Sequence, residues 1–189
     1  MDVKGLRPLD VVAYGVLLRP WRDDDIDALW EALQDPEIRF WNGSGSGSYD
    51  DAVDFIRSRQ DWSSGDHASW AVADPTTRAL TGSVSLYAID RVNAAAEIGY
   101  WTVAAARGRG VATAAVAAAC DWAFVALELE RIALRHAAAN VGSARVAERA
   151  GFSFEGRSRR SYRYGDGQLH DELCWSRLRA DPPPSALFV

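Results

Sequence analysis

Arg107-Gly108-Arg109-Gly110-Val111-Ala112 stands between a predicted strand and the longest predicted helix, and its reading decides the fold. Its two glycines let the backbone turn tightly and approach a ligand closely. The helix that follows begins with N–H groups that lack an acceptor and with the positive end of its dipole, which together suit a pyrophosphate. Arg107 and Arg109 add positive charge. A phosphate-bearing ligand follows from these features alone. The turn is not a P-loop, because no Gly-Lys-Ser/Thr follows, and it is not the dinucleotide fingerprint, because the third glycine spacing fails.

Working outward, the helix spans about Gly110 to Leu127, rich in alanine with Val116, Trp122 and Phe124. Upstream, Trp70–Ala73, Leu80–Ile89 and Ala95–Val103 read as three strands in a meander, with turns near Asp74-Pro75 and Asp90–Asn93. Downstream, Arg131–His136 reads as a strand, Ser143–Arg149 as a helix stopped by Gly151, and Phe152–Tyr164 and Leu169–Leu178 as strands joined at Gly165-Asp166-Gly167. At the other end, Val11–Leu18 is predicted as one strand stopped by Arg19-Pro20. A helix from Asp23, its N-cap, to Gln34 presents Ile26, Leu29, Trp30 and Leu33 on one face and ends at Asp35-Pro36. Asn42–Ser48 is a Gly/Ser run, an ordinary loop or a flap at a substrate entrance, and a helix follows from about Tyr49 to Trp62.

This order predicts an α/β fold: a mixed sheet with helices on both faces and the glycine turn at the carboxyl end of a central strand. The expected organisation is a single domain over 1–180 and a proline-rich tail over 181–189. Of the 189 residues 48% are apolar and eight are tryptophan, enough for a core without disulfides or metals. A net charge of −5 argues against a nucleic-acid partner and is compatible with a cationic substrate. The acidic cluster Asp23, Asp24, Asp25, Asp27 and the basic cluster Arg157, Arg159, Arg160, Arg163 read as solvated faces.

The two cysteines, Cys120 and Cys174, form no paired motif, so a reducing, cytoplasmic setting is expected; Cys120 reads as core and Cys174 shows no sign of activation. His67, His136 and His170 have no ligand spacing, so no metal site is expected; His136 is either structural or turned toward a cleft. The first residues lack the pattern of a signal peptide, and no apolar run reaches the roughly 18 residues of a membrane span. No membrane partner is expected.

The turn also matches Arg/Gln-x-x-Gly-x-Gly/Ala through Arg107, Gly110 and Ala112. Around it, in order, stand Glu97-Ile98-Gly99-Tyr100-Trp101, Arg131-Ile132, Asn140-x-x-Ser143, Ala150-Gly151-Phe152 and Glu155-Gly156. This constellation resembles the GNAT N-acetyltransferases, in particular their RimJ/RimL-like branch. The likeness is strongest from Glu97 to Arg157 and, with Leu18–Trp21 and Asp171–Leu178, extends to Ala180.

The resemblance implies the GNAT acyl-CoA N-acyltransferase fold, with a mostly antiparallel sheet whose two central parallel strands, Ala95–Val103 and Arg131–His136, splay apart around the pantetheine arm of acetyl-CoA. It implies that backbone groups near Trp101 to Val103 bond that arm, with the Val103 N–H polarising the thioester carbonyl. Arg107, Gly108, Arg109, Gly110, Val111 and Ala112 would hold the pyrophosphate. Glu97 is the candidate base, acting through water, or else an ordinary strand carboxylate paired with an arginine. Asn140 lies beside the arm in the family, and also has the position of a helix cap.

Many family members carry a tyrosine four residues before the glycine of the Gly-Phe pair; here that position is Ala147. Ser143, one turn earlier, is the candidate proton donor, with helix capping as its rival role. Trp30, Trp41 and Tyr49, with Phe40 and Trp62, lie where the family builds its acceptor site; they form either that pocket or core. The implied activity is transfer of acetyl to a primary amine, a protein N-terminal α-amine or a small amine, by a monomer or homodimer. The alternative is a non-catalytic acyl-CoA-binding sensor or scaffold.

Overall fold

The computed structural model describes residues 5–42 and 47–184. Eight strands form one sheet in the order β1-β2-β3-β4-β5-β6-β8-β7. They are β1 (Val11–Ala13), β2 (Val16–Pro20), β3 (Ala68–Ala73), β4 (Leu80–Asp90), β5 (Ala95–Thr102), β6 (Arg131–Ala137), β7 (Ser153–Arg163) and β8 (Leu169–Leu178). Every neighbouring pair is antiparallel except β5 and β6, whose parallel register requires a crossover. That crossover is the long helix α4 (Val111–Ala126), after α1 (Ile26–Leu33), α2 (Pro36–Asn42) and α3 (Tyr49–Gln60), and before α5 (Val141–Arg149).

The sheet separates two cores. On one face α4 buries Ala114–Val116, Ala118–Cys120, Ala123 and Phe124 against Val84, Leu86, Ile98, Ile132 and Leu134. Trp62, Trp70 and Trp122 meet edge to face within this core, Trp62 and Trp70 fully buried. Each such side chain contributes about 2–3 kcal/mol of burial, and its ring geometry adds to that. On the opposite face Leu29, Leu33, Ile38 and Ile56 from α1–α3 close over Trp21 and Trp101. Among the described residues no helix is long and apolar enough to cross a membrane.

Three local expectations are corrected. Val11–Leu18 is not one strand: Tyr14 and Gly15, both at positive φ (53° and 75°), make a two-residue hairpin that pairs Ala13 with Val16. Asp23 is exposed but is not the cap of the first helix, whose N-cap is Asp25. A 3-10 turn over Asp23–Asp25 comes first, and Asp25 is buried because both its carboxylate oxygens accept from Arg19 at 2.6 Å. Asp35-Pro36 ends α1 as predicted but also starts α2. The Asp35 carboxylate accepts from the N–H groups of Glu37 and Ile38, and Pro36 occupies the first turn, where its missing N–H costs nothing.

Most of the Gly/Ser run, residues 43–46, lies outside the described residues, while Ser48 caps α3 by accepting from Asp51 N–H. At the other end Pro184 is buried, 3.6 Å from where a Cβ on Gly151 would stand.

Candidate active site

β5 and β6 stay paired only from Ala95↔Arg131 to Ile98↔Leu134, although β5 runs on to Thr102 and β6 to Ala137. Beyond Ile98 and Leu134 the two strands part. Each remains held on its far side, β5 by β4 as far as Thr102↔Gly82 and β6 by β8 as far as Ala137↔Glu172. The gap is therefore built into a sheet whose outer pairings are intact. The β5 arm leads straight into the glycine turn through a short 3-10 turn at Ala104–Ala106.

Within that turn Gly108 and Gly110 adopt φ of 73° and 81°, where a side chain is strained. A Cβ on either would meet nothing within 4 Å. Conformation, not crowding, requires glycine here, and the space over both residues is open. Gly110 caps α4 without a side-chain acceptor, and the first intrahelical bond runs from Ala114 N–H to Gly110. The N–H groups of Val111, Ala112 and Thr113 consequently have no acceptor inside the helix.

Arg109 is exposed and forms no ion pair among the described residues. Arg107 behaves differently: its guanidinium reaches Asp35 at 2.9 Å and Glu37 at 3.0 Å at the start of α2. Burial pushes the Asp35 carboxyl up, but the Arg107 guanidinium and the N–H groups of Ile38 and Glu37 outweigh it and hold it below the usual range.

The Val103 N–H, expected at the thioester carbonyl, instead donates to the Thr81 carbonyl at 3.0 Å. That donor is taken because β4 follows β5 past its last paired residue. The Trp101 side chain packs on Trp21 in the second core, so only its main chain borders the gap. Glu97 is half-buried on β5, registered between Tyr87 on β4 and Ala133 on β6, and its negative charge adds to the burial that pushes the Tyr87 phenol up to about 12. Among the described residues no ion pair joins the Glu97 carboxylate to an arginine.

Asn140 is the cap of α5, its side-chain oxygen accepting from Ser143 N–H at 3.0 Å. The Ser143 hydroxyl also accepts from Tyr100 on β5, at 3.0 Å, joining the two sides of the gap. Ala147 is fully buried. His136 is buried on β6, its ring bonded to the Ala137 carbonyl and accepting from Trp175 Nε1 at 3.0 Å, which gives it a structural role.

The aromatic candidates divide. Trp62 belongs to the main core. Trp30 and Tyr49 pair at 6.0 Å, with the Tyr49 hydroxyl donating to Asp27. Trp41 joins Phe40, Tyr164 and His170 at the far end of β7 and β8. Beneath that second group the buried Glu172 accepts from Ser161 and Tyr164. Tyr100, Tyr164 and Glu172 were not singled out from the sequence. Tyr100 stood inside a quoted motif, yet only its direction in space pairs it with Ser143.

The model of the acetyltransferase (GNAT) domain family matches residues 16–153. YdaF of Bacillus subtilis (strain 168), provisionally named a ribosomal N-acetyltransferase, is 41% identical over 54% of this chain and 55% of its own. The chain thus spans about half the length of the first curated relatives it matches, YjcK of the same organism being covered over 56%. RimJ of Mycobacterium smegmatis, solved with CoA-disulfide, superposes with a TM-score of 0.83 at 24% identity over 96% of this chain and 94% of its own. Spermidine N-acetyltransferase of Vibrio cholerae, solved with CoA and spermine, does so at 0.77 and 21% over 88% and 97%. At these identities the two structures establish the fold.

Proposed function

The chain belongs to the GNAT acetyltransferase family, and on that premise we propose that it transfers the acetyl group of acetyl-CoA to a primary amine. The observation that carries the reading is the parting of β5 and β6 beyond Ile98 and Leu134, on an arm that leads into an open glycine turn and a helix start with no side-chain cap. A long, narrow thioester with a pyrophosphate at one end fits both features.

The N–H groups of Val111, Ala112 and Thr113, with those of the turn from Gly108 to Gly110, bind the pyrophosphate, and Arg109 adds charge. Arg107 acts indirectly by fixing the turn to α2. The pantetheine arm lies along the free edge of β5 between Gly99 and Thr102, flanked by Asn140. With the Val103 N–H engaged by Thr81, the donor that stabilises the tetrahedral oxyanion is a main-chain N–H of that free edge. Glu97 takes the ammonium proton through water, and the amine nitrogen attacks the thioester carbon. The C–N bond forms, the C–S bond breaks, and the thiolate leaves.

The acceptor enters from the side carrying Trp41, Trp30 and Tyr49. It is a protein N-terminal α-amine, as in the name of the RimL alpha-N-protein acetyltransferase, or a small amine, as in that of the spermidine enzyme. The working unit is the single domain expected over 1–180 with the chain packed on it as far as Pro184, in the cytoplasm, as a monomer or homodimer without a metal.

The test is to mix the protein with acetyl-CoA, amines and N-terminal peptides, and to read free CoA with a thiol reagent. Acceptor-dependent release is expected, falling about a hundredfold or more in Glu97→Gln with acetyl-CoA affinity unchanged. Absence of acetyl-CoA binding by calorimetry overturns the reading.

A further inference from the structure

Ser143 stands at the start of α5 on the β6 side of the parted strands, where the acetyl-CoA reading runs the pantetheine arm, yet an aliphatic hydroxyl is far too weak an acid to give its proton to a thiolate. What it can do is donate a hydrogen bond, and the value of that bond depends on where its single hydrogen points. A free hydroxyl rotates and spends its hydrogen on any nearby acceptor.

The geometry around Ser143 removes that freedom. Its backbone N–H is held by Asn140 at 3.0 Å, and its oxygen accepts the Tyr100 hydroxyl hydrogen at 3.0 Å. Tyr100 comes from β5, beyond the last β5–β6 pair, and its ring packs against the main core. Ser143 comes from the first turn of α5, on the β6 side. The bond therefore spans the opening of the sheet. Burial pushes the Tyr100 phenol up to about 12, the bond to Ser143 opposing this only in part, so Tyr100 keeps the hydrogen that it donates through neutral pH. With one lone pair occupied by Tyr100, the Ser143 hydrogen is directed away from that bond.

We propose that Tyr100 is a positioning residue that aims the Ser143 hydroxyl at the coenzyme sulfur, so that Ser143 stabilises the leaving thiolate by hydrogen bonding and not by proton transfer. Electron and proton balance are simple: the C–S pair departs with sulfur, Ser143 and Tyr100 keep their protons, and the thiolate is later protonated by solvent. The inference rests on the acetyl-CoA reading above.

The test needs no acceptor. The thiol pKa of bound CoA is measured by thiolate absorbance against pH, as a difference from the complex with desulfo-CoA, in the full chain and in Ser143→Ala, Tyr100→Phe and the double variant, each checked for CoA binding by calorimetry. A hydrogen bond to a charged group predicts that Ser143→Ala raises the bound thiol pKa by about one to two units. Tyr100→Phe keeps the ring and raises it by part of that amount. The double variant matches Ser143→Ala alone, because Tyr100 acts only through Ser143.

A Tyr100→Phe value equal to that of the unmodified chain overturns the proposal, and so do shifts that simply add in the double variant. If only Tyr100→Phe fails to fold, an unshifted Ser143→Ala complex is still decisive against it. A chain that binds no CoA fails at the earlier step and overturns the acetyl-CoA reading together with this one.

Discussion

Arg107, the residue that opens the glycine turn, is ion-paired with Asp35 at 2.9 Å and with Glu37 at 3.0 Å. The turn is thereby tied to the first residues of α2, across the boundary between the two helix layers. An arginine read from the motif as a phosphate ligand is engaged as a strut. Its effect on coenzyme binding is then one of geometry, and it couples the turn to acid stability.

Replacing Arg107 with alanine is expected to weaken acetyl-CoA binding several-fold and to cost about 1 kcal/mol of stability at neutral pH. The Asp35 carboxyl is depressed in the fold, so its contribution is present above the unfolded carboxylate pKa and is lost as pH falls through the folded value. Urea unfolding of both proteins should show a gap at pH 7 that closes toward pH 3. An equal gap at both values would rule out Asp35 as the partner that matters.

Gly110→Ala forces a left-handed residue at the start of α4, where φ is 81° and nothing crowds the new methyl. The strain costs about 1–2 kcal/mol, a loss visible in the unfolding midpoint. Because the cradle reshapes to relieve it, acetyl-CoA affinity should fall by tenfold or more in calorimetry. A loss of stability with unchanged affinity would mean that the turn does not hold the pyrophosphate.

Trp62 and Trp41 should respond in opposite ways. Trp62→Ala empties a fully buried position in the tryptophan trio and costs about 3–5 kcal/mol, with acceptor KM unchanged in whatever remains folded. Trp41→Ala, at the half-buried aromatic cluster beside Tyr164, should leave stability nearly intact and raise acceptor KM. Unchanged KM in Trp41→Ala would move the acceptor site away from β7 and β8.

Arg131 and Glu155 lock together through two bonds of 2.7 and 2.6 Å, joining β6 to β7 over the intervening β8. Arg131, and after it the Ser176 hydroxyl, holds the Glu155 carboxyl down at about 2. A depressed carboxylate stabilises above its unfolded pKa near 4.3 and loses that contribution as pH falls toward 2. Both side chains are well exposed, so the effect is at most about 1 kcal/mol. Arg131→Gln should therefore be slightly less stable at pH 7, by a gap in thermal melting that shrinks as pH falls toward 2. A gap undiminished at pH 2 would point to lost packing of the arginine stem.

Much of this molecule was legible from pattern because the patterns act locally. The alanine-rich α4, the β3–β5 meander and the β7–β8 hairpin each follow from period, turn residues and caps within a few positions. The failures were also local ambiguities. Tyr14-Gly15 lacks the usual Asn-Gly signal of a two-residue turn, and Asp35-Pro36 serves as stop and start at once.

At the site, residue types were readable and partners were not. Arg107, Gly108 and Gly110 announce a phosphate turn through spacing alone, and Asn140 announces a cap. That Arg107 meets Asp35, 72 positions earlier, that Tyr100 reaches Ser143 and that the Val103 N–H is spent on Thr81 are facts of sheet register and helix docking.

The sequence by itself determined the element types, the glycine turn and the family, because backbone conformation and capping depend on residues a few steps apart. Only the tertiary structure decided which side chains and donors are left for chemistry. A hydrogen-bonding group is available only if no neighbour in space has claimed it, and those neighbours are brought together by packing across tens of residues.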